Sequence, residues 1–195
     1  MQILTGTTPL VIEPGPDLAD VCRKKSIPVI ENFLENVKNE DLPHNSKAFV
    51  SFELFEHLHN PSSFLEQLKI LMNPGDLFIF STLSGTGLDI AVLWSDSKSV
   101  SPPHHLNFLN PYSIRLLLDR LGFEILEITT PGKLDINILE NNQGLIKNHF
   151  WKNFIARASD LEKEKMQSAI AETNCSSHMM VVCRHKNLIT LKDNL

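Results

Sequence analysis

Cysteine is scarce in this 195-residue sequence, and its three positions form an odd set, Cys22, Cys175 and Cys183, without C-x-x-C spacing. Such a set is not typical of a disulfide framework or of a cysteine-ligated metal site. The first residues also lack the basic and then apolar pattern of a secretion signal. Together these observations predict a cytoplasmic protein.

Long apolar runs and basic blocks are missing as well. No apolar run approaches about 18 residues, so no membrane-spanning helix is expected. A net charge of −5 without a Lys/Arg block argues against a nucleic-acid partner. Because 42% of the residues are apolar, the chain can bury a sizeable core. We therefore expect one domain over residues 1–195 that acts on a small molecule, with 187–195 as a tail.

Apolar runs alternate with helical patterns along the chain. Asn60-Pro61 and Asn110-Pro111 each predict a helix start, as a cap followed by a first helical residue. The alternation predicts a doubly wound α/β sheet, and residues 131–174 form a helical insertion before the last strand. The strands are expected near residues 10–13, 28–31, 48–52, 77–81, 123–129 and 179–184.

Two carboxylates and an imidazole, Glu53, Glu56 and His57, follow the strand at 48–52. If this turn is helical, their spacing of i, i+3 and i+4 places them on one face. Ligands of open α/β sheets bind beyond the carboxyl ends of the strands, which is where this cluster lies. The alternative is that Glu56 and His57 bond to the sheet edge and hold a loop.

Three ordered segments, FELFEHLHNP at 52–61, LMNPGDLFIFST at 71–82 and GFE at 122–124, resemble class I S-adenosylmethionine-dependent methyltransferases. The resemblance is to the subgroup of the ubiquinone-biosynthesis O-methyltransferases, whose pattern is a strand, E-x-x-E-H, a helix and L-x-P-G-G. Asp76 stands in place of the second glycine. The resemblance covers residues 10–130. It implies a Rossmann-like sheet with an antiparallel last strand, and methylation of a small-molecule acceptor at oxygen.

The same resemblance implies cofactor contacts for S-adenosylmethionine. A carboxylate that ends a strand can accept both ribose hydroxyl protons, an amide can bond to adenine and an aromatic ring can stack on it. For Glu13 the alternative is a surface or helix-capping role, and for the adenine pair it is ordinary loop packing. The implied residues are Glu13 for the ribose, Asn32 and Phe33 for adenine, and Ser51, Phe52 and Glu53 beside the methionine part.

A divalent cation and a proton acceptor are implied too. Glu53, Glu56 and His57 match a cation site of the subgroup, for which we expect weakly bound, partly hydrated Mg²⁺ or Mn²⁺. His57, His104 and His105 are the candidates for taking the proton of an acceptor hydroxyl. The alternative for His104 and His105 is a capping or packing pair on the Pro102-Pro103 loop.

The glycine-rich loop and first strand of the family have no counterpart before Leu10. We therefore expect a chain truncated at its front that binds S-adenosylmethionine weakly or not at all. Either Ile3 to Thr8 substitutes for the missing strand, the strands at 10–13 and 48–52 pair directly, or another copy covers the gap in a homo-oligomer. The alternative function is a non-catalytic fragment or binding module that has lost cofactor affinity.

Overall fold

The computed structural model describes residues 9–44 and 47–186, so the predictions for Ile3 to Thr8 and for a tail at 187–195 lie outside the described residues. The strands are β1 Val11–Ile12, β2 Val29–Ile30, β3 Ala48–Phe52, β4 Leu77–Leu83, β5 Phe123–Thr129 and β6 His178–His185. The helices are α1 Pro16–Lys24, α2 Pro61–Leu71, α3 Leu88–Leu93, α4 Pro111–Arg120, α5 Asp135–Asn141, α6 His149–Arg157 and α7 Asp160–Glu172.

Four strands form one sheet in the order β3-β4-β6-β5. β3 and β4 are parallel, and β6 is antiparallel to both β4 and β5. The predicted antiparallel last strand is therefore confirmed. Since β3, β4 and β5 run in the same direction, their carboxyl ends meet at one edge of the sheet, the carboxyl edge. β6 begins at that edge, with His178 paired to Leu83.

β1 and β2 form a separate parallel sheet, so the prediction that the strand at 10–13 joins the others is wrong. A strand enters a sheet only through backbone hydrogen bonds to a neighbour. The Val11 and Glu13 N–H groups donate to Pro28 and Ile30, on the β2 side. No strand of the described ranges pairs with the outer edge of β3, so direct pairing of β1 with β3 is also not observed.

Both predicted helix starts are confirmed. The Asn60 side chain accepts from Ser62 and Ser63 at the start of α2. The Asn110 side chain caps α4 in the same way. Gly122 has a positive φ of 74° and turns the chain from α4 into β5, as a residue without Cβ can. These local signals fix where the two helices begin and where α4 ends.

The two faces of the four-stranded sheet differ because side chains alternate along each strand. One face packs against α2 and α4 and carries the stacked rings of Phe55, Phe78 and Phe80. The other face is more open, with Val50 43% and Phe52 53% exposed. The core therefore lies between the sheet and one helical layer.

The predicted helical segment 131–174 contains the three helices α5, α6 and α7. The helices α5, α6 and α7 share a second apolar cluster with α3, which includes Leu88, Ile136, Leu139 and Ile155. The buried Asp135 carboxylate accepts from the Ser177 N–H and Oγ at 2.7 Å each. The insertion is thereby joined to the residue just before β6.

Across residues 9–44 and 47–186, no helix combines the length and the apolarity that crossing a membrane requires.

Candidate functional site

Consecutive residues of β4 hold the two carboxylates of the E-x-x-E-H segment. Ser81 donates to Glu53 at 2.6 Å, and Thr82 donates to Glu56 at 2.7 Å. The two acids are therefore held by adjacent residues of one strand. Glu56 is 2% exposed, on the helix-covered side. The site is thus built across the carboxyl edge of the sheet.

Glu53 directly follows β3 in a left-handed backbone conformation, with φ 50°. Its second carboxylate oxygen lies 3.0 Å from His178 Nε2. The hydrogen bond from His178, with a further one from Ser81, lowers the pKa of Glu53 to about 2. In turn the bond to Glu53 raises the pKa of His178, and partial burial opposes that rise.

The expectation that Glu53, Glu56 and His57 share one helical face is wrong. The turn is a short 3₁₀ helix, Phe55–His57, and Glu53 lies before it with a positive φ. A helical i, i+3, i+4 relation holds only where every residue has helical dihedrals. Glu53 therefore joins His178 and Ser81 instead.

The structure groups Glu56 and His57 with His105, whose ligand atoms all lie within 4.8 Å of one another. His57 Nδ1 lies 2.8 Å from the His104 carbonyl oxygen, and His105 Nδ1 lies 2.7 Å from the Ser99 carbonyl oxygen. A carbonyl oxygen only accepts, so both Nδ1 atoms donate, and in the neutral ring each Nε2 keeps its lone pair. This arrangement is typical of metal-binding histidines.

Backbone contacts bring His105 to this place. The Leu106 and Asn107 N–H groups both donate to the Glu56 carbonyl oxygen. The Asn107 side chain also donates to the carbonyls of Phe55 and Leu58. The sequence placed His105 on a loop but gave no signal for this bridge. His104 is exposed and contributes its carbonyl to His57.

The residues assigned to the cofactor follow three different strands. Glu13, after β1, accepts from the Gly15 N–H at 2.8 Å, and it does not cap α1, whose N-cap is Gly15. Asn32, after β2, accepts from the Phe33 N–H and from the Asn36 side chain. Phe33 is 62% exposed, so its ring is free on the surface. Their cofactor roles stay predictions.

At the end of β3, Ser51 and Phe52 present contrasting side chains. Ser51 Oγ is buried and has no hydrogen-bond partner within the described residues. Phe52 lies on the open face of the sheet. A buried hydroxyl without a partner is costly, and a bound ligand or water satisfies such a group. Ser51 therefore remains a candidate contact.

His178 and Ser81 are the site residues that sequence reasoning missed. His178 immediately precedes the strand predicted at 179–184, where spacing gives no reason to pair it with Glu53. Ser81 lies inside the apolar run of β4, which looks like core. Only the register of β3, β4 and β6 brings these side chains together.

A sequence model of the methyltransferase domain family matches residues 13–128 of this chain. The chain is similar to a mitochondrial ubiquinone biosynthesis O-methyltransferase of Dictyostelium discoideum, at 26% identity over 112 residues. That alignment covers 54% of this chain and 35% of the relative, so the chain spans about a third of the length of the curated relative it matches.

Solved structures share the fold. An S-adenosylmethionine-dependent methyltransferase of Mesorhizobium loti aligns with a TM-score of 0.53 and 14% identity, covering 90% of this chain and 79% of that one. A coclaurine N-methyltransferase aligns with a TM-score of 0.55 and 12% identity, covering 94% of this chain and 62% of that one. At these identities the likeness concerns the fold alone.

Proposed function

Because this chain belongs to the methyltransferase domain family, we propose that it transfers the methyl group of S-adenosylmethionine to a hydroxyl of a small-molecule acceptor. The observation that carries the proposal is the pair of polar groups, Glu53 with His178 and Glu56 with His57 and His105, at the carboxyl edge of the sheet. In open α/β sheets this edge is where ligands bind. The O-methyltransferase relative supports the choice of oxygen as acceptor.

The donor supplies an electrophilic methyl group: its S–CH₃ bond breaks as the acceptor O–CH₃ bond forms, and the donor leaves as a thioether. The protein contributes position and exclusion of water. We assign Glu13, Asn32 and Phe33 to the nucleoside part of the donor. Ser51, Phe52 and Glu53 then border its methionine part.

The acceptor loses its hydroxyl proton during the transfer. His57 and His105 keep an Nε2 lone pair, since Nδ1 of each donates to a carbonyl. His104 carries an exposed ring on the same loop. We assign the proton to one of these three imidazoles, because a neutral imidazole is a suitable base near pH 7.

Glu56, His57 and His105 would also hold a divalent cation. Two imidazole nitrogens and one carboxylate suit Zn²⁺ or Mn²⁺ better than Mg²⁺, which prefers oxygen ligands. A cation there would supply a Lewis acid, which would make the acceptor hydroxyl more acidic. Because an Nε2 that holds a cation cannot take a proton at the same moment, the cation and imidazole-base roles exclude each other at His57 and His105.

A second candidate is a non-catalytic module of the same fold. It is favoured by one observation: no strand of the described ranges links β1 to β3. The residues that we assign to the nucleoside therefore follow strands of one sheet, and those that we assign to the methionine part belong to the other. A strand edge without a partner recruits other chains. We therefore include self-association through the outer edge of β3 in this candidate.

Calorimetric titration with S-adenosylhomocysteine, together with a radiolabelled methyl-transfer assay over phenols, catechols and aliphatic alcohols, tests the proposal. Micromolar binding and labelled product are expected of the enzyme. A Glu13→Gln variant is then expected to bind the nucleoside less tightly, by about tenfold for one lost bond to a charged group. Absence of both binding at about 1 mM and product would overturn the enzyme in favour of the module.

The cation question is decided in the same assay. Removal of divalent cations with a chelator, followed by graded addition of Zn²⁺ or Mn²⁺, gives opposite outcomes for the two roles. If the cation makes the hydroxyl acidic, the rate rises with its concentration. If His57 or His105 is the base, the rate falls as the cation occupies Nε2.

A further inference from the structure

His178 lies at the carboxyl edge of the sheet, although no sequence motif contains it. It begins β6 beside Leu83, the last residue of β4. Its Nε2 lies 3.0 Å from a Glu53 carboxylate oxygen, and both side chains are about half exposed. The contact therefore spans three strands and remains open to a ligand.

Glu53 holds an unusual backbone conformation in this contact. A positive φ in a residue other than glycine costs free energy and persists only where the surroundings enforce it. Three bonds enforce it here: the Glu53 N–H donates to the Ser81 carbonyl, Ser81 Oγ donates to one carboxylate oxygen, and His178 donates to the other. The carboxylate has a fixed position without being buried.

The position of His178 is itself fixed by buried groups. Its neighbour Ser177 donates through N–H and Oγ to Asp135, and the Ser177 carbonyl accepts from the Ser84 N–H at 2.7 Å. Asp135 is 1% exposed, and its other oxygen accepts from Gln167 of α7 at 2.7 Å. The helical insertion thus determines where β6, and with it His178, begins.

We propose that His178 is a positioning residue: with Ser81 it fixes the Glu53 carboxylate, which orients the acceptor hydroxyl for methyl transfer. This inference rests on the proposed function. Each carboxylate oxygen has a further lone pair, so Glu53 can accept a hydrogen bond from the acceptor O–H while it keeps its bonds to Ser81 and His178. A misplacement of about 1 Å at such a group costs up to about a hundredfold in rate.

The test compares full-length variants for kcat, for KM of donor and acceptor, and for melting temperature. His178→Leu removes the donor to Glu53, and His178→Gln retains an N–H donor at a similar distance. We expect His178→Leu to lower kcat at least about tenfold, while the KM for S-adenosylmethionine changes less than about threefold. His178→Gln is expected to recover most of kcat. The matched control is His149→Leu on α6, an exposed histidine outside the site, which is expected to leave kcat unchanged.

A double-mutant cycle separates positioning from a general structural role. If His178 acts through Glu53, His178→Leu lowers kcat no further once Glu53→Gln is present. Additive losses, a kcat of His178→Leu equal to the wild type, or equal losses in both His178 variants overturn the inference while leaving the methyltransferase proposal intact. A wild-type chain that neither binds S-adenosylhomocysteine nor transfers methyl overturns both.

Discussion

The Asp76 carboxylate accepts a hydrogen bond from the Lys47 backbone N–H at 2.9 Å. Its other oxygen accepts from the Asn73 N–H at 2.8 Å, and the residue is 3% exposed. Asp76 occupies the position where the resembled pattern has its second glycine. The acid therefore clamps the turn after α2 to the start of β3, and this departure from the pattern has a structural reason.

Replacing Asp76 by alanine is expected to lower the free energy of unfolding by about 3 kcal/mol, because two buried backbone donors lose their acceptor. Asp76→Gly, which restores the pattern, is expected to lose at least as much. Urea denaturation measures the change. Asp119→Ala, on the exposed surface of α4, is the control and is expected to stay within about 0.5 kcal/mol. A stable Asp76→Ala protein would contradict the clamp.

Gly87 allows a close approach between the start of α3 and the residue before β6. A Cβ added there would lie 2.5 Å from Ser177 Cα, so Gly87→Ala must displace the residue before His178. We expect a loss of about 2 kcal/mol or more in the free energy of unfolding. Gly144→Ala is the matched control, since nothing lies within 4 Å of its added Cβ. Equal melting temperatures of the two variants would show that this approach is not tight.

Zinc affinity distinguishes the cluster found in the structure, Glu56 with His57 and His105, from the predicted site, in which Glu53 takes the place of His105. Glu56→Gln and His105→Leu each remove a ligand and are expected to weaken Zn²⁺ binding at least about tenfold, measured by competition with a chelating dye. Glu53→Gln, which lies outside the cluster of Glu56, His57 and His105, is expected to change it less than about twofold. The assignment is wrong if Glu53→Gln weakens binding as much as Glu56→Gln does.

The Glu53–His178 pair is expected to stabilise the fold most within a limited pH range. A carboxyl whose pKa falls from 4.5 to about 2 on folding adds stability above 4.5 that is lost as the pH falls through about 2. An imidazole whose pKa rises from 6.5 adds stability below 6.5 that is lost as the pH rises through its folded value. The pair therefore contributes most between these two ordinary values. As both groups are about half exposed, the contribution stays below about 1 kcal/mol.

Urea denaturation of wild type and His178→Leu at about pH 3, 5.5 and 9 checks this window. The stability difference is expected to be largest at the middle pH, whereas His149→Leu gives a difference that does not peak there. A His178→Leu difference that grew toward alkaline pH would contradict the pair.

The outer edge of β3 predicts self-association. Its residues Ala48–Phe52 carry no charge, no proline and no bulge, which are the usual protections of an edge strand. Light scattering is expected to give a mass above that of one chain, and Val50→Lys to lower it by placing a charge on this strand. Leu161→Lys, at an exposed apolar position of α7, is the control. A monomeric wild-type chain would remove this prediction.

Local signals predicted much of this fold. The strands at 48–52, 77–81 and 123–129 and the caps Asn60 and Asn110 depend on neighbouring residues only, and the structure has them in place. Non-local pairing decided the rest. His105 reaches Glu56 through Asn107, and Glu53 reaches His178 through the register of three strands. The left-handed φ of Glu53 could not be predicted either, because the bonds that enforce it come from β4 and β6.

The division into two sheets has a consequence for local opening. β1 and β2 pair over two residues each, and their apolar side chains rest on a small cluster formed by Val37, Leu42 and Leu71. The four-stranded sheet holds longer ladders and the larger core. Amide protons of Val11 and Val29 therefore exchange with solvent through a smaller, cheaper opening than those of β4 and β6. We expect residues 9–32 to open as a unit while the four-stranded sheet stays folded, so a ligand that bridged the two sheets would slow exchange in both at once.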